Sequence, residues 1–281
     1  MISLIAQPII DTIIPKIPEG LHLAVILVGD DIASQIYVDK KSKALEEVGG
    51  KLHLFKYEKN ISQEELIAEI HNLNRDNSID GIIIQLPLPP FIEEQVVLNS
   101  IHPTKDADGL TDFWLGKLFQ SRISATLSPI IPATPRGIIL LFEHYDISLI
   151  GKTVLILNDS VLVGKPLAAL LPAYGATPIL AHRETHNLED LIQLSDIIVS
   201  ATGNPDILKN IPFRENQILI DVGIARDENN HIRGDIYHKD FVFEGAITPV
   251  PGGIGPLTVW ALIHNLAILK NLKEQHIQNT L

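Results

Sequence analysis

The sequence predicts an α/β protein built as two α/β units, the second Rossmann-like with a mostly parallel sheet. Three observations carry this. Short, almost wholly apolar runs recur along the chain, each closed by Gly, Pro, Asn or Asp, as expected of strands buried on both faces. Amphipathic stretches of helical length separate them, and strand–helix–strand order requires parallel pairing. The chain has 281 residues, 46% of them hydrophobic, enough for two cores at roughly 100–200 residues each.

The elements follow in order. LHLAVILVG (residues 21–29) is a buried strand. Residues 34–48 form a helix that Gly49 and Gly50 end. KLHLFKY (51–57) alternates as a strand does. Ser62 caps a helix reaching about residue 74, with Glu65 completing a capping box. DGIIIQLPLPP (80–90) is a strand stopped by prolines. Residues 104–131 show no clear period and are predicted to be loops near a site. Thr134-Pro135 opens a helix to about residue 145, with proline suited to its first turn.

A second series follows. TVLILN (153–158) is a strand, and Gly164-Lys165-Pro166 starts a helix. TPILAH (177–182) is a strand, 188–194 a short helix, and DIIVSATG (196–203) and QILIDVG (217–223) are buried strands. A last helix spans about 257–271 and is expected to return to the first unit. The organisation expected is residues 1–130 plus 256–281 as one domain and 131–255 as the other.

Composition excludes several classes. A formal net charge of −12 argues against nucleic-acid binding, which needs basic surface. The chain has no cysteine, so disulfides, thiolate metal sites and cysteine nucleophiles are excluded. The apolar N-terminus carries Asp11 and three prolines and does not read as a signal peptide. No run of about 20 uninterrupted apolar residues suits a bilayer. The expectation is a cytoplasmic protein without membrane partners. His182 and His186 read as loop polarity, and no metal site is expected.

Candidate site residues come from both units. Tyr37 and Lys41 are four apart on one helical face. They suit an acid/base pair; the alternative is a solvated face shared with Lys40 and Lys43. Gln85 stands inside an apolar strand, where a buried amide needs partners, structural or ligand. Asp106 and Asp108 in KDADG suit Asx-turns or ligand contact. PVPGGIGP (249–256) is a rigid loop whose glycines admit close approach. In the second unit three strands end in tight-turn residues: Asn158-Asp159-Ser160, Thr202-Gly203 and Val222-Gly223. Ligands of open α/β sheets sit outside such strand ends. The turn leading to Gly164 offers a helix N-terminus to a pyrophosphate. The G-x-G-x-x-G fingerprint is absent, so ordinary strand–helix turns remain the alternative.

Taken together and in order, these segments resemble the bifunctional methylenetetrahydrofolate dehydrogenase/methenyltetrahydrofolate cyclohydrolase family over nearly the whole chain. The matching wording is SQIYVDKKSKALEEVG, DGIIIQLPLP, KDADGL, PATPRG, SVLVGKP, SDIIVSATG, DVGI and AITPVPGGIGPLT. The resemblance implies two α/β domains flanking a cleft, usually in a homodimer. It implies tetrahydrofolate one-carbon derivatives as substrates and a nicotinamide cofactor. Lys41 would be the general acid/base, with Tyr37 beside it and Gln85 holding and tuning it. Leu86, Asp108, Pro251 and Gly252 would meet the folate, Asp108 at the pterin. Ser160, Gly203, Gly223 and Ile224 would contact the dinucleotide; Asn158, Asp159, Gly164, Arg183 and Thr202, at the same strand ends, are expected to line its site.

The chain departs from the family where G-R-S or G-A-S is usual: here the turn is Asn158-Asp159-Ser160. Asn tolerates left-handed backbone, so the turn is expected to survive. Cofactor choice is contested. Arg183, after the second strand of the unit, favours the extra phosphate of NADP, whereas Asp159 opposes it. NADP is expected, with NAD as the alternative.

Overall fold

The computed structural model describes residues 1–121, 128–205, 207–209, 211–226, 231–236 and 243–278. The first half of the chain runs β1 (Ile2–Ser3), α1 (Gln7–Ile13), β2 (His22–Val28), α2 (Ile32–Glu47), β3 (Lys51–Tyr57), α3 (Gln63–Arg75), β4 (Gly81–Gln85), α4 (Glu94–Asn99), α5 (Asp112–Phe119) and α6 (Ala133–His144). The second runs β5 (Thr153–Leu157), α7 (Gly164–Leu170), β6 (Thr177–Ala181), α8 (Leu188–Leu194), β7 (Ile197–Ser200), β8 (Ile218–Asp221), β9 (Ala225–Arg226), β10 (Ile232–Arg233), β11 (Ala246–Ile247) and α9 (Ile254–Gln278). Two compact units result. One comprises Met1–Asp11, Leu118–Ser128 and Thr134–Thr258, the other Thr12–Lys117, Pro129–Ala133 and Val259–Leu281.

The unit holding β2–β4 has a three-stranded parallel sheet in the order β3-β2-β4. Both faces of its central strand are covered, so β2 is apolar without alternation. Ala24, Ile26 and Val28 face a core with Leu66, Ile70 and Leu73 of α3. On α9, Leu266 packs so closely on β4 that a Cβ at Gly81 would press into it. Local signals set the helix ends. The Asp31 side chain accepts the Ser34 N–H, and Gly49 leaves α2 at φ +67°, a left-handed stop that favours glycine. The Ser62–Glu65 capping box opens α3.

The other unit has a six-stranded sheet, all parallel, in the order β1-β11-β8-β7-β5-β6. From β5 the chain crosses to β6 on one side and then to β7 on the other. The strand order therefore reverses between β5 and β7, the place where open α/β sheets receive ligands.

Two expectations need correction. Residues 104–131 are not all loop: α5 occupies Asp112–Phe119, while 122–127 lie outside the described residues. DFWLGKLF is apolar on most sides, so no amphipathic period marks it. The N-terminus was assigned to the first domain. Its β1 instead pairs with β11, Ile2 opposite Ala246, and Met1–Asp11 belongs to the unit with the six-stranded sheet. A two-residue strand carries no readable pattern.

Candidate active site

Lys41 owes its place to helical spacing. Of the four buried residues of α2, Ser34, Val38 and Leu45 stand at steps of four and seven, with Ala44 beside Leu45, and Lys41 falls on the same stripe. Lys40 and Lys43 fall off it and are exposed, so the solvated-face alternative holds for them and not for Lys41. The stripe turns Lys41 toward the end of β4, where its Nζ donates to Gln85 Oε1 at 3.0 Å. Gln85 Nε2 in turn donates to the Leu86 carbonyl at 3.0 Å, which fixes which end of the amide faces the amine. Ser34 Oγ reaches the same carbonyl at 3.5 Å, and the Leu86-Pro87 peptide is cis.

The structure separates the two aspartates of KDADG. Asp106 is buried and is the turn former, accepting the N–H of Gly109 at 2.8 Å and of Thr111 at 2.7 Å. Burial pushes its carboxyl up to about 6. Asp108 accepts no hydrogen bond among the described residues and interacts electrostatically with Lys41. Desolvation lowers the Lys41 amine from its usual range, and the Asp108 charge opposes that fall. Asp108 shows the mirror image: burial raises it and Lys41 restrains the rise. A poorly solvated amine thus faces one amide acceptor and one carboxylate.

Tyr37 is half-buried beside this group, and burial raises its hydroxyl. It makes no hydrogen bond to Lys41 among the described residues; the side chain of Lys40 lies over its ring at 5.4 Å. Sequence reasoning missed Asn265. Buried on α9, its Nδ2 donates to the carbonyls of Ala107 at 3.0 Å and Ile131 at 2.8 Å, holding the segment that carries Asp108. Nothing in the local sequence marks a contact across 158 residues.

In the other unit, Asn158, Asp159, Ser160 and Gly164 follow β5, Arg183 follows β6, Thr202 and Gly203 follow β7, and Gly223 and Ile224 follow β8. All lie beyond the carboxyl ends of parallel strands. Asn158 does not use left-handed backbone, unlike Asp146, Asn187 and Asn216. Its side chain holds the turn instead. Nδ2 donates to the Ala201 carbonyl at 2.7 Å, bridging the β5 and β7 ends. Oδ1 accepts from Ser160 N at 2.8 Å and Gly164 N at 3.2 Å. A Cβ at Gly164 would overlap the Asn158 carbonyl, so α7 starts hard against the strand end. That close cradle fits a dinucleotide. Asp159 and Arg183 are both exposed and form no ion pair with each other. Pro251 and Gly252 lie on the loop after β11, with a cis Val250-Pro251 peptide and Gly252 at φ +105°. The Gly252 carbonyl accepts from Ala6 N at 2.9 Å.

One unit with an open switch point in a parallel sheet and another with a desolvated lysine are the features of a dinucleotide-dependent α/β enzyme. Residues 4–108 match the catalytic domain of tetrahydrofolate dehydrogenase/cyclohydrolase, and residues 132–275 match its NAD(P)-binding domain. The chain belongs to the tetrahydrofolate dehydrogenase/cyclohydrolase family. It is 40% identical over 244 residues to the bifunctional protein FolD of Acetivibrio thermocellus, covering 86% of this chain and 84% of that one. The crystal structure of the bifunctional FolD enzyme from Campylobacter jejuni is 38% identical with a TM-score of 0.86, over 95% of this chain and 96% of that chain. The Trypanosoma brucei enzyme, complexed with NADP cofactor and inhibitor, is 29% identical with a TM-score of 0.88, over 95% of each chain.

Proposed function

We propose that this chain oxidises 5,10-methylenetetrahydrofolate to 5,10-methenyltetrahydrofolate with NADP and hydrolyses that product to 10-formyltetrahydrofolate. The observation that carries the reading is the Lys41–Gln85 contact at 3.0 Å with Asp108 as the neighbouring charge. The substrate's methylene carbon lies between two nitrogens, so loss of hydride leaves a delocalised cation. The cofactor supplies the hydride acceptor. The fold's task in this step is to set that carbon against the acceptor.

Hydrolysis is the step this chain's side chains perform. Water adds to the cationic carbon and gives up a proton; a ring C–N bond then breaks and its nitrogen takes one. An ordinary lysine, with a pKa of about 10.4, is charged at neutral pH and is a poor base. Desolvation at Lys41 raises the share of neutral amine. Gln85 Oε1 takes one N–H, so the amine's remaining valences point elsewhere, toward the reacting atoms. Tyr37 supplies an adjacent hydroxyl and apolar wall. Asp108, free of backbone donors, grips the N–H groups of the pterin. Leu86, Pro251 and Gly252 contact the folate.

Asn158, Asp159, Ser160, Gly164, Thr202, Gly203, Gly223 and Ile224 hold the dinucleotide, and exposed Arg183 meets the extra phosphate of NADP. The Trypanosoma brucei complex with NADP supports that choice over NAD. We further infer a cytoplasmic homodimer whose formyl product feeds purine biosynthesis, and that the unit of Thr12–Lys117, Pro129–Ala133 and Val259–Leu281 is the folate domain. Family likeness and a cysteine-free, acidic composition support this. The test is a spectrophotometric assay with methylenetetrahydrofolate and each cofactor, followed by methenyl hydrolysis alone. Cofactor reduction with NADP and hydrolysis without it are expected. Failure of both would overturn the reading.

A further inference from the structure

Two buried carboxylates lie beneath the strand ends of the six-stranded sheet, and neither touches the folate chemistry. Asp221 ends β8 and is 1% exposed; Asp235 follows β10 and is 0% exposed. Asp221 holds the segment of Asp235, and Asp235 holds the end of β7. Asp221 Oδ1 accepts the N–H of Gly223 at 3.1 Å and of Asp235 at 3.0 Å, and its Oδ2 accepts that of Ile236 at 2.9 Å. Asp235 Oδ2 accepts from Ser200 Oγ at 2.7 Å, Thr202 N at 2.7 Å and Thr202 Oγ1 at 2.9 Å. Thr202 Oγ1 then accepts the Asn204 N–H at 3.1 Å. The hydroxyl's direction is therefore fixed, and Gly203, at φ +69°, sits within an ordered turn.

The surroundings are shaped to admit these groups. A Cβ at Gly223 would overlap the Asp235 carboxylate, and one at Gly234 would overlap that of Asp221. Among the described residues Asp235 Oδ1 has no hydrogen-bond partner and neither carboxylate forms an ion pair. Burial, reinforced by Asp235, pushes Asp221 up to about 7. Two adjacent buried carboxylates are costly. A carboxylate offers in return one oxygen that takes three donors as charge-assisted bonds.

We propose that Asp235 is a positioning residue of the dinucleotide site: through Ser200 and Thr202 it fixes the exposed Thr202-Gly203 turn in the shape that receives the cofactor. This rests on the reading that the turns after β5, β7 and β8 hold the dinucleotide. The hydrolytic step needs no dinucleotide, so one preparation reports both the cofactor site and an internal control. Asp235→Ala is expected to raise the KM for NADP at least ~10-fold, the scale of lost charge-assisted hydrogen bonds. The dehydrogenase kcat and the hydrolase activity should stay within about threefold. Asp235→Asn, which keeps the shape, should recover most of the loss. Ser200→Ala removes one of the three donors and should raise the same KM without lowering the melting temperature, which keeps the test valid if the alanine variant fails to fold. An unchanged KM for NADP in Asp235→Ala or Ser200→Ala, with only the melting temperature lowered, would overturn the proposal. Wild-type protein that hydrolyses methenyltetrahydrofolate but binds no NADP would overturn the dinucleotide reading itself.

Discussion

Replacing Gln85 by leucine asks whether Lys41 works because of how it is held. Leucine keeps the apolar stem and deletes both polar contacts of the amide. One of these, Lys41 Nζ to Oε1 at 3.0 Å, involves an amine that carries charge for part of the cycle. A hydrogen bond to a charged group contributes ~1.5–3 kcal/mol, which at about 1.4 kcal/mol per decade is roughly a 10- to 150-fold loss in kcat/KM. The other contact, Nε2 to the Leu86 carbonyl, leaves that carbonyl with Ser34 Oγ, so the folding cost should be small. The assay is methenyltetrahydrofolate hydrolysis, followed by loss of its absorbance, with kcat and KM resolved. Gln85→Glu is the companion. A carboxylate facing Nζ favours the charged amine, so hydrolysis at neutral pH should fall and the rise in rate should move to higher pH. Near-wild-type hydrolysis in the leucine variant, with an unmoved pH profile in the glutamate variant, would refute the reasoning.

Three further outcomes are expected. Asp108→Asn removes the charge that opposes Lys41's depression, so the amine's pKa should fall further; substrate KM should rise roughly 10- to 150-fold while the melting temperature holds, because no backbone donor is lost. Arg183→Ala should lower kcat/KM for NADP and spare NAD, and Asp159→Arg should raise it for NADP; a wild-type preference for NAD in the same measurements would reverse the cofactor assignment. Asp106 is raised from 3.8 to about 6 by burial, so its contribution to stability is full below the unfolded value and lost as pH rises through about 6. The shift is worth about 3 kcal/mol at 1.36 kcal/mol per unit. Urea unfolding should therefore show wild type losing ground to Asp106→Asn between pH 4 and 8, and a constant difference would contradict this.

The order of strands and helices was legible because buried parallel strands are apolar runs and their helices carry caps. Ser62 with Glu65 and the Gly49 stop are signals within four residues. Other features have no such local mark. The two aspartates of KDADG look alike in sequence. Only the fold shows that Asp106 meets Gly109 and Thr111 while Asp108 is left beside Lys41. The α2 stripe of Ser34, Val38 and Leu45 was readable and would have separated Lys41 from Lys40 and Lys43. The Asn158 turn survives, as Asn's tolerance of left-handed backbone suggests, but by another means: its side chain bonds to Ala201, Ser160 and Gly164. Asn265 and Asp235 were missed because their partners are distant in sequence. A buried polar residue on an apolar stretch is a hint whose partner only the fold supplies.

The central claim is that Lys41 performs the acid/base work of hydrolysis, and Lys41→Met tests it most directly. Methionine keeps most of the stem on the buried stripe of α2 and removes the amine that meets Gln85. Methenyltetrahydrofolate hydrolysis should fall at least ~10²-fold, the scale of general acid–base catalysis. Folate binding, measured by fluorescence titration on the same preparation, should change far less. Hydrolysis at the wild-type rate in a folded, folate-binding Lys41→Met protein would contradict the account.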